Sequence, residues 1–152
     1  MSDNLIQQFG LQAAGEYPGL GLVFDVLING QSLLAQVKAF EARYSDTING
    51  AYTQTLGQRD IEAALSLQDT ALMPYACDCG DYDCWMLFTK TASVGDYVYW
   101  HQWQNPHRSD KSKAAEGLYW SYKDFPHLCF DKDQYLNELQ QALTLIKQGT
   151  NA

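Results

Sequence analysis

Two strand patterns joined by a short connector constrain the fold of this chain more than any other segment. Side chains in Trp85–Thr91 alternate loosely between apolar and polar, and those in Tyr97–Trp103 alternate more regularly. The connector, residues 92–96, contains a Gly-Asp pair and has the length of a hairpin loop. The two segments are therefore predicted to form an antiparallel hairpin.

The order of the remaining patterns predicts the fold class. Strands are predicted at Leu20–Ile28, Ala71–Ala76, Leu118–Tyr122 and Leu128–Phe130, and helices over Ser32–Tyr44, over Arg59–Leu67 and from Asp131 onward. Pro74 makes its segment an edge strand or a lead-in to the cysteines that follow, and Leu5, Ile6 and Phe9 suggest a short helical face. This order is typical of an α+β protein with a mostly antiparallel sheet and about three helices packed largely on one face. Residues 1–152 are predicted to form a single domain.

Two helix starts carry capping signals. Ser32 can cap the first predicted helix, and Asp131 can cap the last. Gln134, three residues after Asp131, has the position of the reciprocal partner in a capping box. The last helix is then marked by an apolar stripe of Leu136, Leu139, Leu143 and Ile146.

Composition and charge narrow the class of partner. Hydrophobic residues make up 46% and charged residues 18%, which is a globular composition. The net charge of −8 disfavours nucleic acid and an anionic membrane surface, because both require clustered Lys and Arg. An acidic surface is compatible with a basic protein partner.

The cysteines are interpreted together with the compartment. The first ten residues, MSDNLIQQFG, carry an acid and amides where a secretory signal has a basic region, so a cytoplasmic protein is expected. Thiols are normally reduced in that compartment. Four cysteines in such a chain indicate metal binding, reactivity or simple burial before they indicate disulfides.

Several segments together resemble a group of small, uncharacterised bacterial proteins. That group combines a Cys-x-Cys-Gly-x-x-x-Cys-Trp loop, a strand that ends in Trp, a Pro-His-Arg segment and a helix that starts with Phe-Asp-x-x-Gln-Tyr. The matching segments, between about Phe24 and Leu143, read INGQSLL, INGAY, MPYACDCGDYDCWML, VYWHQWQNPHR and FPHLCFDKDQYLNEL. The resemblance implies a bacterial cytosolic source and supports the order of elements. It implies no activity, because none is established for the group.

One candidate metal site lies in the cysteine loop. Three sulfur ligands to zinc could come from Cys77, Cys79 and Cys84. His101 is the predicted fourth ligand, and His107, His127 and Cys129 are the alternatives. The C-x-C spacing is rarer at zinc sites than C-x-x-C, and free thiols packed at a turn are the simpler interpretation. Asp78, Asp81 and Asp83 also disfavour a reactive thiolate.

The strand Tyr97–Trp103 supplies the second candidate. Strict alternation places Tyr97, Tyr99, His101 and Trp103 on one side and Val98, Trp100 and Gln102 on the other. If the second set faces the core, the first set is an exposed aromatic row, unless helices and loops cover both faces. With His107 and Arg108 from the following segment, this row forms the predicted binding surface.

Two functional hypotheses follow. The first is a non-enzymatic binding or accessory module without a cofactor, which meets a protein partner through the aromatic row; an immunity-type inhibitor of a basic toxin belongs to this class. The alternative is a small zinc-dependent or thiol-dependent enzyme that uses the Cys77–Cys84 loop and the nearby histidines. Motifs for P-loop, dinucleotide, zinc-protease and serine-hydrolase chemistry are absent from the sequence.

The zinc hypothesis makes a direct prediction about metal content. Protein purified without chelator should hold one zinc ion per molecule. Cys79→Ser should lose this ion, because the loss of one of the three sulfur ligands lowers the affinity for zinc. Elemental analysis measures both. A metal-free chain whose four thiols titrate only after denaturation contradicts the hypothesis.

Overall fold

The computed structural model describes residues 6–42, 52–77, 86–104 and 125–150. Its strands are β1 (Ile6–Gln7), β2 (Phe9–Tyr17), β3 (Gly21–Ile28), β4 (Gln31–Ser32), β5 (Tyr52–Gln54), β6 (Thr70–Cys77), β7 (Met86–Val94), β8 (Tyr97–Gln104) and β9 (Leu128–Asp131). Its helices are α1 (Leu33–Ala42), α2 (Gln58–Leu65) and α3 (Lys132–Thr150). The α+β class and the mostly antiparallel pairing are confirmed.

The strands form two sheets. The large sheet has the order β1-β9-β8-β7-β6-β5, and the small sheet has the order β2-β3-β4. All neighbours are antiparallel except β1 and β9, which run parallel. The predicted hairpin is confirmed as β7–β8, with a tight turn at Gly95 and Asp96 in which Gly95 has a φ of 60°. The strand predicted at residues 118–122 lies outside the described residues.

The structure corrects two predictions, one about the N-terminal segment and one about the segment that contains Pro74. Ile6 and Phe9 lie in β1 and β2 and not on a helix, because β2 pairs along its length with β3 and its glycines disfavour helix. Of the two alternatives for the Pro74 segment, the edge strand is wrong, since β6 lies between β5 and β7. The other alternative, a lead-in to the cysteines, agrees with the structure, since β6 ends at Cys77. Proline is tolerated there because the register shifts between Leu72 and Tyr75, which is the signature of a bulge.

The polar groups freed by that bulge are satisfied from two other elements. The Thr55 hydroxyl donates to the carbonyl of Met73 at 2.8 Å, and the Thr55 N–H donates to the carbonyl of Pro74 at 3.0 Å. The carboxylate of Asp60, in the first turn of α2, accepts the N–H of Met73 at 3.3 Å. Asp60 is therefore a buried acid with a structural role.

Both predicted helix caps are present. The Ser32 hydroxyl accepts the N–H of Leu34 at 3.2 Å, and the carboxylate of Asp131 accepts the N–H of Gln134 at 3.0 Å. The reciprocal half of the capping box is wrong. The Gln134 side chain instead accepts the Phe9 N–H at 2.9 Å and donates to the Phe9 carbonyl at 2.5 Å, so it binds the outer strand of the small sheet.

The core lies where α3 and β2 meet the inner side of the large sheet. Trp100 of β8 is fully buried, and its indole N–H donates to the Tyr135 hydroxyl of α3 at 3.1 Å. Phe9 packs against both residues, with ring centroids at 5.5 Å from Trp100 and 4.7 Å from Tyr135. Phe130 stacks on Tyr135 with an interplanar angle of 8°. This cluster fixes which side of β8 and β9 faces inward.

A carboxylate ties the small sheet to the large one. The Tyr75 hydroxyl of β6 donates to Asp25 of β3 at 2.6 Å, and the Ser32 hydroxyl donates to the other oxygen of Asp25 at 2.7 Å. Hydrogen bonds to a charged acceptor are stronger than neutral ones. Ser32 therefore caps α1 and also binds Asp25, and Asp25 in turn binds the hydroxyl of the buried Tyr75.

Asp60 generates a prediction about stability and pH. Burial raises the pKa of Asp60 from 3.8 to about 6. Because the folded-state pKa exceeds the unfolded value, stability is gained as the pH falls through about 6 and the gain is complete below about 3.8. Asp60→Asn, which keeps an acceptor for Met73, should raise the free energy of unfolding at pH 7.5 by up to about 3 kcal/mol, and by less than about 1 kcal/mol at pH 4.

Urea unfolding of the wild type and Asp60→Asn at both pH values measures this difference. Asp69→Asn is the matched control, because Asp69 is exposed and its replacement should change the free energy of unfolding little. A change in the free energy of unfolding that is equal at pH 7.5 and pH 4, or a destabilisation by Asp60→Asn at pH 7.5, would contradict the assignment.

Candidate functional site

The candidate site lies on the side of the large sheet that faces away from α3, which we call the outer face. Residues of β8 that point away from Trp100 lie there, and the pairing register sets their neighbours. Tyr99 lies between Cys129 of β9 and Ala92 of β7, and Tyr97 lies between Asp131 and Val94. The structure places Tyr97, Tyr99 and His101 on this face, as the alternation predicts.

The outer face contains a cavity. A cavity of about 570 Å³ lies over β1, β9 and β8, and it is lined by Ile6, Tyr97, Tyr99, Phe125, Pro126, His127 and Cys129. Volumes of about 300–1,000 Å³ with mostly apolar walls and a few polar groups are typical of ligand pockets. The lining of aromatic and aliphatic side chains with one thiol, one imidazole and two phenols fits that description.

A phenol and a thiol interact on one wall of the cavity. Tyr99 lies directly opposite Cys129 in the sheet, and Cys129 is 8% exposed. The negative charge of an ionised Cys129 raises the pKa of Tyr99, and burial raises the pKa of Cys129. The sulfur is therefore a protonated thiol at neutral pH, which is a poor nucleophile and a good apolar wall.

Polar groups gather at one end of the same face. The rings of His101 and His127 have their centroids 6.1 Å apart, and His101 is paired across the sheet with Lys90. A second cavity of about 320 Å³ adjoins this end and is lined by Asp69, Thr70, Ala71, Lys90, Thr91, His101 and Gln102. His101 and His127 thus connect an apolar cavity with a polar one.

The prediction that Trp103 belongs to the exposed row is wrong. Trp103 is 3% exposed and packs against Phe125 with ring centroids 4.9 Å apart. The reason is a bulge: the register shifts between Phe88 and Lys90 of β7, so that one residue of β7 opposes two of β8. Gln102 takes a left-handed φ of 51° at this point and is exposed, and Trp103 turns inward. Its indole N–H has no hydrogen-bond partner among the described residues.

The remaining predicted site residues fall mostly outside the described part of the chain. His107, Arg108, Cys79, Cys84 and the side chain of Cys77 lie there. Among the described residues, no group of three or more His, Cys, Asp or Glu side chains is suited to a metal ion. Zinc at the cysteine loop therefore stays a prediction.

Sequence reasoning missed most of the cavity. Cys129 and His127 were considered only as alternative zinc ligands, Ile6 was considered only as part of a helical face, and Phe125 was given no role. The pattern of Leu128–Asp131 signals a strand, but only the order of the strands brings Cys129 beside Tyr99 and Ile6 beside Cys129.

Comparison with family models, with curated proteins and with solved structures finds no match for this chain. In the described ranges, no helix combines the length and the apolar character needed to cross a membrane. Any inference about function therefore depends on the outer face itself.

The placement of Trp103 in the core and of Tyr99 on the outer face predicts that truncation destabilises the protein by different amounts. Trp103→Ala should lower the free energy of unfolding by about 3–5 kcal/mol, because it empties a buried site. Trp103→Phe should cost less, since it keeps a ring and removes the unpartnered donor. Tyr99→Ala should cost much less than Trp103→Ala, because Tyr99 is only half-buried and lies on the outer face.

Urea denaturation of the three variants measures these costs. The order expected is Trp103→Ala, then Trp103→Phe, then Tyr99→Ala, from most to least destabilised. If Trp103→Ala proves as stable as the wild type, Trp103 is not in the core.

Proposed function

We propose that this protein is a non-enzymatic binding module of the bacterial cytoplasm whose outer face accepts a partner protein. The observation that carries the proposal is the cavity of about 570 Å³ on the side of the large sheet opposite the core. Its aromatic lining is the kind of surface that receives the buried side chains of a partner.

The outer-face aromatics are not needed to fill the core. The inner side of β8 is occupied by Val98 and Trp100, both of which are completely or almost completely buried. Tyr97 is 37% exposed and its pair-mate Val94 is 61% exposed. Large apolar side chains exposed next to each other, at the rim of a cavity, favour an interaction surface over a packing role.

The chemistry of the described outer face supports binding over thiol catalysis. Burial raises the pKa of Cys129, so the nucleophilic thiolate is scarce at neutral pH. The proposed activity needs no cofactor.

The net charge favours a basic partner. At −8 the chain attracts a positively charged protein over a distance of about one Debye length and increases the rate of encounter. An immunity-type inhibitor of a basic toxin is one protein of this kind. The net charge thus supports a positively charged partner, and the cavity supports the outer face as the place of contact.

Site-specific photo-crosslinking tests the proposal. A benzophenone amino acid in place of Tyr97 should give discrete crosslinked products in the native cells, since this side chain borders the cavity. The same amino acid in place of Leu145, which is 48% exposed on α3, is the matched control and should not give them. Tyr99→Ala should reduce the products from position 97 without unfolding the chain.

Identical crosslinking patterns from positions 97 and 145 would mean that the outer face has no special role. Products from position 97 that survive Tyr99→Ala unchanged would place the contact outside the cavity. Either result contradicts the proposed function.

A further inference from the structure

We infer that the partner segment that enters the cavity carries an apolar residue with an acidic residue two positions to one side of it, and no acidic residue two positions to the other side. This inference rests on the proposed function and names the chemistry of the partner at that site. It follows from the distribution of charge along the outer face.

The outer face consists of three cross-strand rows. The middle row contains Tyr99 and Cys129, which form the apolar wall of the cavity. One flanking row contains Lys90 and His101, with His127 beside them, and the other contains Tyr97 and Asp131. Because a strand rises about 3.3 Å per residue, each flanking row lies roughly 7 Å from the middle one.

The two flanking rows differ in charge and in hydrogen-bond capacity. Lys90 brings an ammonium group with three donors, and each histidine brings a ring N–H donor. Asp69, which lines the adjoining cavity, is the acidic group at that end. At the other end Asp131 is exposed, with Asp96 in the neighbouring turn and Lys132 following Asp131, so the carboxylates outnumber the single cation.

An extended partner segment fits these rows by its own periodicity. Side chains two positions apart on a strand point to the same side and lie roughly 7 Å apart. When an apolar side chain of the partner packs against Tyr99 and Cys129, the partner side chains two positions before it and two positions after it therefore lie over the two flanking rows. A carboxylate is attracted by Lys90 and the histidines at one end and repelled by Asp131 at the other.

The one-sided acid also fixes the direction of the bound segment. Overall charge still favours a basic partner, because the net charge of −8 acts at long range while Lys90 acts only on the group next to it. The partner is thus a basic protein that presents a locally amphipathic segment.

Panning a phage library of random 12-residue peptides on the full-length chain, with counter-selection on Tyr99→Ala, tests the inference. The enriched peptides should share an apolar residue with Asp or Glu two positions to one side only. In a synthetic peptide of that consensus, replacing the acid by its amide should weaken binding to the wild type about two- to five-fold, as expected for a partly exposed charge pair. The same replacement should have no effect on binding to Lys90→Glu.

Two variants serve as matched controls. Lys38→Glu changes an exposed lysine on α1 and should keep the full effect of the acid. Asp131→Asn removes the opposing charge but keeps a good helix cap, so it should allow peptides with acids on both sides to bind.

The outcomes separate the inference from the proposed function. Tyr99-dependent peptides without the one-sided acid, or with an acid that is insensitive to Lys90→Glu, overturn the inference and leave the proposed function standing. If no enriched peptide depends on Tyr99, the cavity is not a protein-binding site, and both fail.

Discussion

The hydrogen bond between the Trp100 indole and the Tyr135 hydroxyl is the contact on which the rest of the architecture depends. Trp100 and Tyr135 are both fully buried, and each has one polar atom that would be costly to bury alone. Their pairing allows two large side chains to fill the space between β8 and α3. With Phe9 and Phe130 around them, the side of β8 that carries Trp100 cannot face solvent. The position of Tyr97 and Tyr99 on the outer face follows from that constraint.

The bulge at Gln102 limits how far the outer face extends along β8. Up to His101 the strand alternates with a period of two, and after it the extra residue changes which side each position occupies. The Thr89 hydroxyl supports the distortion by donating to the carbonyl of His101 at 3.0 Å. The aromatic residue gained by the core is Trp103, and the polar residue placed at the surface is Gln102. The outer face therefore changes from aromatic to polar at His101.

Much of the fold could be predicted because its signals are local. Ser32 and Asp131 cap helices through contacts two and three residues away, and the turn at Gly95 depends on its own backbone conformation. The cavity could not be predicted, because it depends on partners far apart in sequence. The β1–β9 pairing joins Ile6 to Cys129, and no local pattern indicates a parallel contact of this kind. The bulges at Pro74 and Gln102 likewise depend on the opposing strand, although a proline within a strand pattern does indicate an irregular strand.

Gln134 also has a consequence for how the chain behaves at high concentration. An outer strand presents unpaired N–H and C=O groups that can join a strand from another molecule and start edge-to-edge aggregation. The Gln134 amide occupies both backbone groups of Phe9, as a residue of an added strand would. Further along β2, the register shift between Ala13 and Glu16 interrupts the edge a second time, with Gly15 at a φ of 103°. The β2 edge of the small sheet is thus interrupted at two points, which makes this edge a poor template for the addition of a strand from another molecule.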